Sequence, residues 1–237
     1  MSDTIFETKC GKYLLPVDHG KSMNIDLVKR GFLYEKGVFD WVVSKIEKDM
    51  NVIDVGLCVG QFCIELSKHV KSLGNGVVYA FEANPDLYKY VQKNIELNEC
   101  DNIKLFNRIV WNKSNLYLHF QDEDVNAFPK DQFSIGTLSI DKTCKSRHIV
   151  ETYKLDDLEI DNVCVIKIDA QGADLNIMKG AYNLIMKHRP AIAFEIENCP
   201  YLDNFGCKPK DYFDFVEEIG YKVEKEIGLG NFFIVPS

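Results

Sequence analysis

Residues 52–60 read Val52-Ile53-Asp54-Val55-Gly56-Leu57-Cys58-Val59-Gly60. An apolar run ends here in two glycines four residues apart, and apolar residues at helical spacing begin directly afterwards. A second apolar run, residues 77–81, ends on Glu82. A glycine turn after one strand, with an acid at the tip of the next strand, is typical of α/β proteins that bind a ribose-bearing cofactor. The stretch therefore predicts an α/β fold built around such a cofactor.

Strand and helix patterns alternate along most of the chain, which predicts a mostly parallel sheet with helices between its strands. The expected strands cover residues 52–55, 77–81, 103–106, 116–120, 163–168 and 191–196. One helix is expected to carry Leu175, Met178, Tyr182 and Ile185 on one face, and a last helix begins at Pro209 with Phe213, Val216 and Ile219 on its face. Two apolar segments joined by residues 228–230 predict a terminal hairpin, and hence one antiparallel strand near an edge.

The length of 237 residues fits one domain. We expect residues 1–48 to form an N-terminal helical or cap segment and residues 49–237 to form the α/β core. Residues 121–150 are polar and without a strong period, so they are the expected loop-rich insertion. The sequence predicts no interdomain linker and no internal repeat.

Composition excludes several classes of function. The net charge of −8 argues against sequence-independent binding to nucleic acid, which needs a basic surface. No apolar stretch approaches the roughly 20 residues of a membrane helix, and no secretory signal is visible at the N-terminus. The eight cysteines form no C-x-x-C pair and are interpreted as buried thiols in a reducing compartment. We therefore expect a cytoplasmic protein; the oligomeric state stays open.

The residues of the glycine turn decide between cofactors. A dinucleotide fingerprint needs two further glycines after Gly56, where this chain has Cys58 and Gln61, so NAD or FAD is disfavoured. No Gly-Lys-Ser/Thr sequence follows the glycines, so a P-loop is absent as well. A cofactor with a ribose but no phosphate remains, and S-adenosylmethionine meets that description.

Several segments also resemble the FkbM-type family of class I S-adenosylmethionine-dependent methyltransferases. Ile53-Asp54-Val55-Gly56 with Gly60 resembles motif I of the class. The other segments that carry the resemblance are 34–35, 78–85, 94–98, 154–158, 166–174, 179–181 and 190–195. The resemblance implies a Rossmann-like fold with a mostly parallel seven-stranded sheet, one antiparallel strand and helices on both faces. It also implies O-methylation of a hydroxyl on a sugar, glycan or related small molecule.

Two departures from the family pattern limit what the resemblance carries over. The family usually has a polar pair between the glycines, where this chain has Leu57-Cys58-Val59. It usually reads Asp-Val-Glu-Gly where this chain has Asp169-Ala170-Gln171-Gly172. Gln171 cannot act as a base, so no role of a glutamate at this position transfers.

The predicted cofactor site has an alternative interpretation at each residue. Glu82 is expected to accept hydrogen bonds from the ribose hydroxyls, or else to be a solvated acid at a strand end. Gly56 and Gly60 let backbone approach the amino-acid part of the cofactor, or else only form a tight turn. Asp54 receives the cofactor ammonium indirectly or caps the turn. Asn107 follows the third strand, where a class I enzyme usually frames the adenine, or else is only a polar surface residue. The resemblance adds Glu35 and Ala83 to the cofactor site.

Three residues are candidates for catalysis. Asp169 ends a core strand and is expected to contact the cofactor or the acceptor, with a helix N-cap as the alternative. Glu195 ends the neighbouring strand, and His148 is the first candidate for general base. The carboxylates lack a diagnostic spacing, so a divalent metal ion is the less favoured interpretation and no metal ligand is assigned.

Two functions are compatible with these residues. The first is a methyltransferase whose partner is a small-molecule or glycan acceptor. The second is a non-catalytic S-adenosylmethionine-binding module within a larger glycan-synthesis assembly, which the missing glutamate at position 171 keeps open.

Overall fold

The computed structural model describes residues 4–15, 23–120, 140–141, 149–197, 201–228 and 230–237. Its main element is a seven-stranded sheet with the order β12-β13-β11-β10-β3-β4-β5. The strands are β3 (Asn51–Val55), β4 (Val78–Phe81), β5 (Ile103–Phe106), β10 (Val163–Ile168), β11 (Ala191–Glu195), β12 (Tyr221–Ile227) and β13 (Asn231–Pro236). β13 pairs antiparallel with both of its neighbours, and the other pairs are parallel. The expected seven-stranded sheet with one antiparallel strand is confirmed.

Helices cover both faces of this sheet. One face packs on α2 (Lys36–Ser44), α3 (Gln61–Leu73) and α4 (Pro85–Leu97), and the other on α5 (Asp174–Gly180), α6 (Tyr182–His188) and α8 (Pro209–Glu218). A short helix, α7 (Tyr201–Asn204), precedes α8. Successive strand residues point to opposite faces, so Val52 enters one core cluster and Ile53 the other. Burial on both faces explains why the central strands read as continuous apolar runs.

The N-terminal segment differs from the expected helical cap. It contains a hairpin, β1 (Thr4–Thr8) with β2 (Gly11–Leu15), before the short helix α1 (Met23–Lys29). Two asparagines one turn apart, Asn94 in α4 and Asn98 at its C-cap, hold this hairpin. Asn94 exchanges hydrogen bonds with the Leu14 backbone (2.6 and 3.1 Å) and Asn98 with the Lys12 backbone (2.7 and 3.1 Å). Each amide side chain takes the place of a neighbouring strand's peptide group. Two residues four apart along the helix thus bond to two residues two apart along β2, because both pairs lie on one face of their element.

Asn94 also ties the hairpin to the glycine turn, because its amide donates to the Val59 carbonyl at 2.8 Å. We expect Asn94→Ala to lower the free energy of unfolding by about 2 kcal/mol, since it leaves buried backbone groups without partners. Urea unfolding measures the loss, and amide exchange at Leu14 shows whether the hairpin opens first. Asn98→Ala is the comparison, because its bonds to Lys12 are exposed, and it should cost less. Equal effects of both variants would contradict this assignment.

A second, small sheet has the order β6-β9-β7-β8. Its strands are β6 (Ile109–Val110), β7 (Tyr117–Phe120), β8 (Ile140–Asp141) and β9 (Ile149–Tyr153). The strand expected at 116–120 therefore exists but pairs outside the main sheet. Most of the expected insertion at 121–150 lies outside the described residues.

Two helices differ from the sequence expectation. The helix through Leu175 and Ile185 is broken at Ala181, directly after Gly180, whose Cα lies so near the Trp111 carbonyl that a Cβ would stand 2.0 Å from that oxygen. In α8 the inner face is Tyr212, Phe215 and Val216, whereas Phe213 is 39% exposed. The α8 prediction was wrong about Phe213, because the helix turns Tyr212 inward, where its hydroxyl donates to the Gly172 carbonyl at 3.3 Å.

Candidate functional site

The candidate site lies where the carboxyl ends of β3, β4, β10 and β11 meet. β3 leads into the turn at residues 56–60, and α3 begins directly after it at Gln61. Three residues of the turn have positive φ: Gly56 (+84°), Cys58 (+53°) and Gly60 (+86°). Left-handed backbone of this kind favours glycine and explains two of the three residue types.

Protein packing requires glycine at position 56 and leaves little room for a side chain at position 60. A Cβ on Gly56 would stand 1.9 Å from the Asp169 carbonyl oxygen, and one on Gly60 would stand 3.1 Å from Val91 Cγ1. The turn would therefore need glycine at position 56 even without a ligand, so this glycine alone does not identify a cofactor site.

Glu82 holds the turn from the end of β4. Its Oε2 accepts hydrogen bonds from the amides of Leu57 and Cys58, both at 3.0 Å, and its Oε1 accepts one from the Asn84 amide at 2.8 Å. The residue is 6% exposed, which contradicts the interpretation as a solvated acid. Burial raises the pKa of Glu82 to about 7, against the effect of the three amide donors. Oε1 retains capacity for a further donor, such as a ribose hydroxyl.

Ala83 and Asn107 lie beside Glu82. The Asn107 amide donates to the Glu82 carbonyl at 2.8 Å and to the Ala83 carbonyl at 3.2 Å, so its NH₂ group fixes this backbone. Arg108 turns away to Glu151 and the Tyr153 ring. Asn107 therefore shapes the wall next to the predicted ribose position.

Lys167 is a buried residue of the site that the sequence interpretation missed. It stands in the otherwise apolar strand β10 and is 3% exposed. Its Nζ donates to the Gly56 carbonyl at 3.0 Å and lies 3.5 Å from Asp54 Oδ1 and 3.6 Å from Asp169 Oδ2. Burial works against its charge, but Asp54, Asp169 and Glu35 outweigh burial and raise the pKa of Lys167. A single lysine within an apolar strand was the available signal.

Asp54 is fully buried, and neither of its carboxylate oxygens accepts a hydrogen bond. It therefore does not cap the turn, and its charge is balanced by the ion pair with Lys167. Burial raises the pKa of Asp54 to about 6 despite that lysine. Buried carboxylates without hydrogen-bond donors are rare in folded proteins, and one beside the turn fits a site that receives a cationic group.

Three more carboxylates complete a group that we call the acidic cluster: Glu35, Asp54, Asp169, Asp174 and Glu195. Asp174 is fully buried and accepts hydrogen bonds from the Glu195 amide (3.0 Å) and the Ala170 amide (3.3 Å). Burial raises the pKa of Asp174 to about 7. Burial also raises the pKa of Glu195 to about 9, and repulsion from Asp169 and Glu197 adds to that shift. Glu35, Asp169 and Glu195 are partly exposed and form the rim of the cluster.

Glu35 reaches the cluster from the N-terminal segment. It precedes α2 with a φ of +53°, and burial raises its pKa to about 7, with repulsion from Asp169 adding to the shift. The Gln61 side chain anchors this segment, since it donates to the Phe32 carbonyl at 3.0 Å and accepts from the Tyr34 amide at 3.1 Å. Gln61 thus has a structural role, whereas from the sequence alone it served only to disfavour a dinucleotide cofactor.

The segment after Asp169 carries the second departure from the family pattern. Gln171 has a φ of +52°, and its buried Oε1 accepts no hydrogen bond. Asp169 is not a helix cap, because the N-cap position of α5 is Ala173. The cap alternative for Asp169 was therefore wrong.

The structure brings together five of the predicted site residues, namely Glu35, Asp54, Gly56, Asp169 and Glu195. Glu82, Gly60, Ala83 and Asn107 lie along the adjoining turn and strand end. The expected base His148 lies outside the described residues. Within the described ranges, no three His, Cys, Asp or Glu side chains are grouped so that they could hold a metal ion. Among the described helices, none combines the length and apolar character needed to cross a bilayer.

These residues fit S-adenosylmethionine, a cation with a ribose. Glu82 offers an acceptor oxygen at one end of the site, and the carboxylates around Lys167 lie at the other end, beside the turn. Among the described residues, the carboxylate oxygens of Asp54 and the Oε1 of Gln171 are the buried side-chain polar atoms that make no hydrogen bond. A ligand with positive charge and hydrogen-bond donors is the chemical complement of this set.

Solved structures share this fold. A SAM-dependent O-methyltransferase from Thermotoga maritima matches with a TM-score of 0.53 and 12% identity, over 99% of this chain and 85% of that chain. A methyltransferase FkbM from Methylobacillus flagellatus KT matches with a TM-score of 0.52 and 14% identity, over 92% of this chain. This chain spans 48% of the length of the M. flagellatus chain. At these identities the two likenesses establish the fold.

Sequence comparison establishes the family. No curated protein sequence matches this chain significantly. The family model described as the methyltransferase FkbM domain matches residues 54–223, which include the glycine turn, Glu82 and every member of the acidic cluster except Glu35. The chain therefore belongs to the FkbM family of S-adenosylmethionine-dependent methyltransferases.

Proposed function

We propose that this protein is an O-methyltransferase whose acceptor is a hydroxyl group of a sugar, glycan or related small molecule. The observation that carries the proposal is the position of Asp169 and Glu195, two partly exposed carboxylates at the rim of the acidic cluster, beside the Gly56 turn. Carboxylates orient hydroxyl groups by accepting their hydrogen bonds, and they can take up the hydroxyl proton. The net charge of −8 favours a small acceptor over nucleic acid.

The chain's own residues supply alignment and proton transfer. Glu82 and the wall formed by Asn107 would hold the adenosine end of the cofactor, and the turn at residues 56–60 would support its methionine end. When bound, S-adenosylmethionine supplies a methyl group that is activated on a positively charged sulfur. Glu195 or Asp169 would hold the acceptor hydroxyl and receive its proton. Most of the rate enhancement then comes from fixed geometry and exclusion of water.

The second candidate is a non-catalytic cofactor-binding module within a larger assembly. The observation that favours it is Gln171, an uncharged side chain where the family usually has a glutamate. A transfer assay separates the two functions. Labelled S-adenosylmethionine is incubated with a panel of glycans and small polyols, and incorporated methyl groups are counted. Methyl transfer supports the enzyme, whereas cofactor binding without transfer to any acceptor supports the module.

We expect Glu82→Gln to weaken the binding of S-adenosylmethionine and S-adenosylhomocysteine by roughly 10- to 100-fold, the range for losing hydrogen bonds to a charged acceptor. In the variant, the side-chain NH₂ group would also face backbone N–H groups that now donate hydrogen bonds to the Glu82 carboxylate. Titration calorimetry measures both affinities. Glu96→Gln, an exposed site on α4, is the matched control and should bind as the unaltered protein does. Failure of the unaltered protein to bind either ligand would refute the proposed function.

A further inference from the structure

The acidic cluster concentrates carboxylates around one lysine. Lys167 contacts Asp54 and Asp169 within 3.6 Å, while Asp174 lies against the Glu195 backbone. The floor of the cluster is closed, because Asp54 and Asp174 are fully buried, and its rim is open at Glu35, Asp169 and Glu195. One ammonium cannot neutralise five carboxylates, and burial together with repulsion from neighbouring acids raises the pKa of Glu35, Asp174 and Glu195.

Asp54 has Lys167 as its ion-pair partner but accepts no hydrogen bond. Both of its buried oxygens are without a hydrogen-bond donor, although Lys167 lies 3.5 Å away. A buried, unpaired polar group costs free energy unless a ligand or a solvent molecule satisfies it. The site is therefore arranged for a further cation, and a ligand that brings one would relieve the repulsion.

We propose that Glu195 exchanges its proton for the positive charge of the cofactor. In this scheme Glu195 is protonated in the free protein, becomes ionised when the sulfonium cation binds, and then serves as the base for the acceptor hydroxyl. The inference rests on the proposed function and adds a property to that same site. It makes cofactor binding the event that prepares the base.

The transfer step balances within this scheme. The carbon–sulfur bond breaks and leaves its electron pair on sulfur, while a lone pair of the acceptor oxygen forms the new carbon–oxygen bond. The acceptor's proton passes to the Glu195 carboxylate. A sulfonium and a carboxylate become a thioether and a carboxylic acid, so the net charge of the site is the same before and after. The thioether product is neutral and no longer favours the ionised form of Glu195. The protein therefore holds this product less tightly than it holds the sulfonium cofactor.

Several groups face Glu195 and set its protonation. Asp174, which lies in α5, accepts a hydrogen bond from the Glu195 backbone amide. The carbonyl of Gly230, directly before β13, accepts one from the Ile196 amide at 2.8 Å. The charged and titratable groups that act on Glu195 or on the rim around it are Tyr34, Glu35, Asp169, Asp174, Glu197 and Lys167. Burial is the largest cause that raises the pKa of Glu195 to about 9, and Asp169 is the next. At neutral pH the free protein therefore holds a proton that a cation can displace.

Calorimetry with S-adenosylmethionine and S-adenosylhomocysteine tests the exchange without turnover, because no acceptor is added. The two ligands differ by one methyl group and one positive charge. Near neutral pH, titrations in two buffers of different ionisation enthalpy should show release of about one proton more with S-adenosylmethionine than with S-adenosylhomocysteine. Between about pH 7 and 9 the Kd of S-adenosylmethionine should fall by at least about tenfold, while that of S-adenosylhomocysteine stays nearly constant.

Glu195→Gln resembles the protonated residue and should remove both the proton release and the pH dependence. Glu217→Gln, an exposed site on α8, should change neither. Equal proton release with the two ligands, or unchanged release in Glu195→Gln, would overturn the inference while leaving the proposed function intact. If neither ligand binds, the proposed function fails and the inference fails with it. Should Glu195→Gln not fold, the pH dependence of the unaltered protein for the two ligands decides the question.

Discussion

Replacing Lys167 with methionine should lower the free energy of unfolding by about 3–5 kcal/mol near pH 8, because Asp54 and Asp169 would lose their shared cation. Lys167 is 3% exposed and Asp54 is fully buried, so solvent cannot substitute for the ammonium. The Gly56 carbonyl would also lose its donor, which loosens the turn. Denaturant unfolding measures the loss of stability, and calorimetry measures the accompanying loss of cofactor affinity.

The pH dependence gives the sign of this effect. The pKa of Asp54 is about 6, above its ordinary value of 3.8, so the folded protein holds more protons than the unfolded chain between these values. The stabilising contribution of such a group is complete at low pH and is lost as the pH rises. Without Lys167 the pKa of Asp54 rises further, so the variant should be impaired most above about pH 6 and least near pH 5.

Two comparisons make the Lys167 prediction falsifiable. Lys187→Met removes an exposed lysine that pairs with Asp161 and should leave stability unchanged. Adding Asp54→Asn to Lys167→Met should restore part of the lost stability, because the buried negative charge is removed as well. A loss that is equal at pH 5 and pH 8, with no recovery in the double variant, would show that Lys167 acts by packing rather than by charge.

Gly56→Ala is expected to destabilise the protein by more than about 3 kcal/mol and to abolish cofactor binding. The added Cβ would stand 1.9 Å from the Asp169 carbonyl oxygen, which is backbone and cannot rotate away. The positive φ of +84° adds a penalty of about 1–2 kcal/mol for any residue with a Cβ. Relief would require β3 and β10 to separate at the point where the site is built. Thermal unfolding and calorimetry with S-adenosylhomocysteine measure the two effects.

Gly206→Ala separates the two causes of the Gly56 effect. Gly206 has a φ of +64° but no atom within 4 Å of the position that a Cβ would occupy, so only the conformational penalty applies. Gly206→Ala should lower the free energy of unfolding by only about 1–2 kcal/mol, with cofactor binding retained. Similar losses in the two variants would mean that the contact with Asp169 is not what requires glycine at position 56.

Local sequence patterns predicted most of the sheet. The buried strands β3, β4, β10 and β11 carry continuous apolar runs, and glycines, prolines and helical spacing mark what lies between them. The hairpin at the N-terminus was not predicted, because what holds it is a pair of asparagines 80 and 86 positions away in sequence. Contacts of that separation leave no periodic signal in either segment.

The candidate site divides in the same way. Gly56, Gly60, Asp54 and Glu82 were recognisable because each stands at a strand end, and strand ends of a parallel sheet meet at one edge. Lys167 was missed because it lies inside a strand, where spacing suggests only a core residue. Asp174 was missed because the first turn of a helix commonly carries an acid.

By itself the sequence determined the α/β fold, the order of the strands in its core and the strand ends that form the site, since these follow from periodicity and local backbone preference. The cofactor class followed from the residues of the glycine turn and from the family resemblance. Only the tertiary structure decided what each group experiences. It closed Glu82 onto the amides of the turn, left Asp54 buried without a hydrogen bond, and placed Lys167 against Asp54 and Asp169 within a cluster of five carboxylates. The physical reason is that burial and charge interactions depend on distances across the fold, and these distances join segments that are remote in the chain.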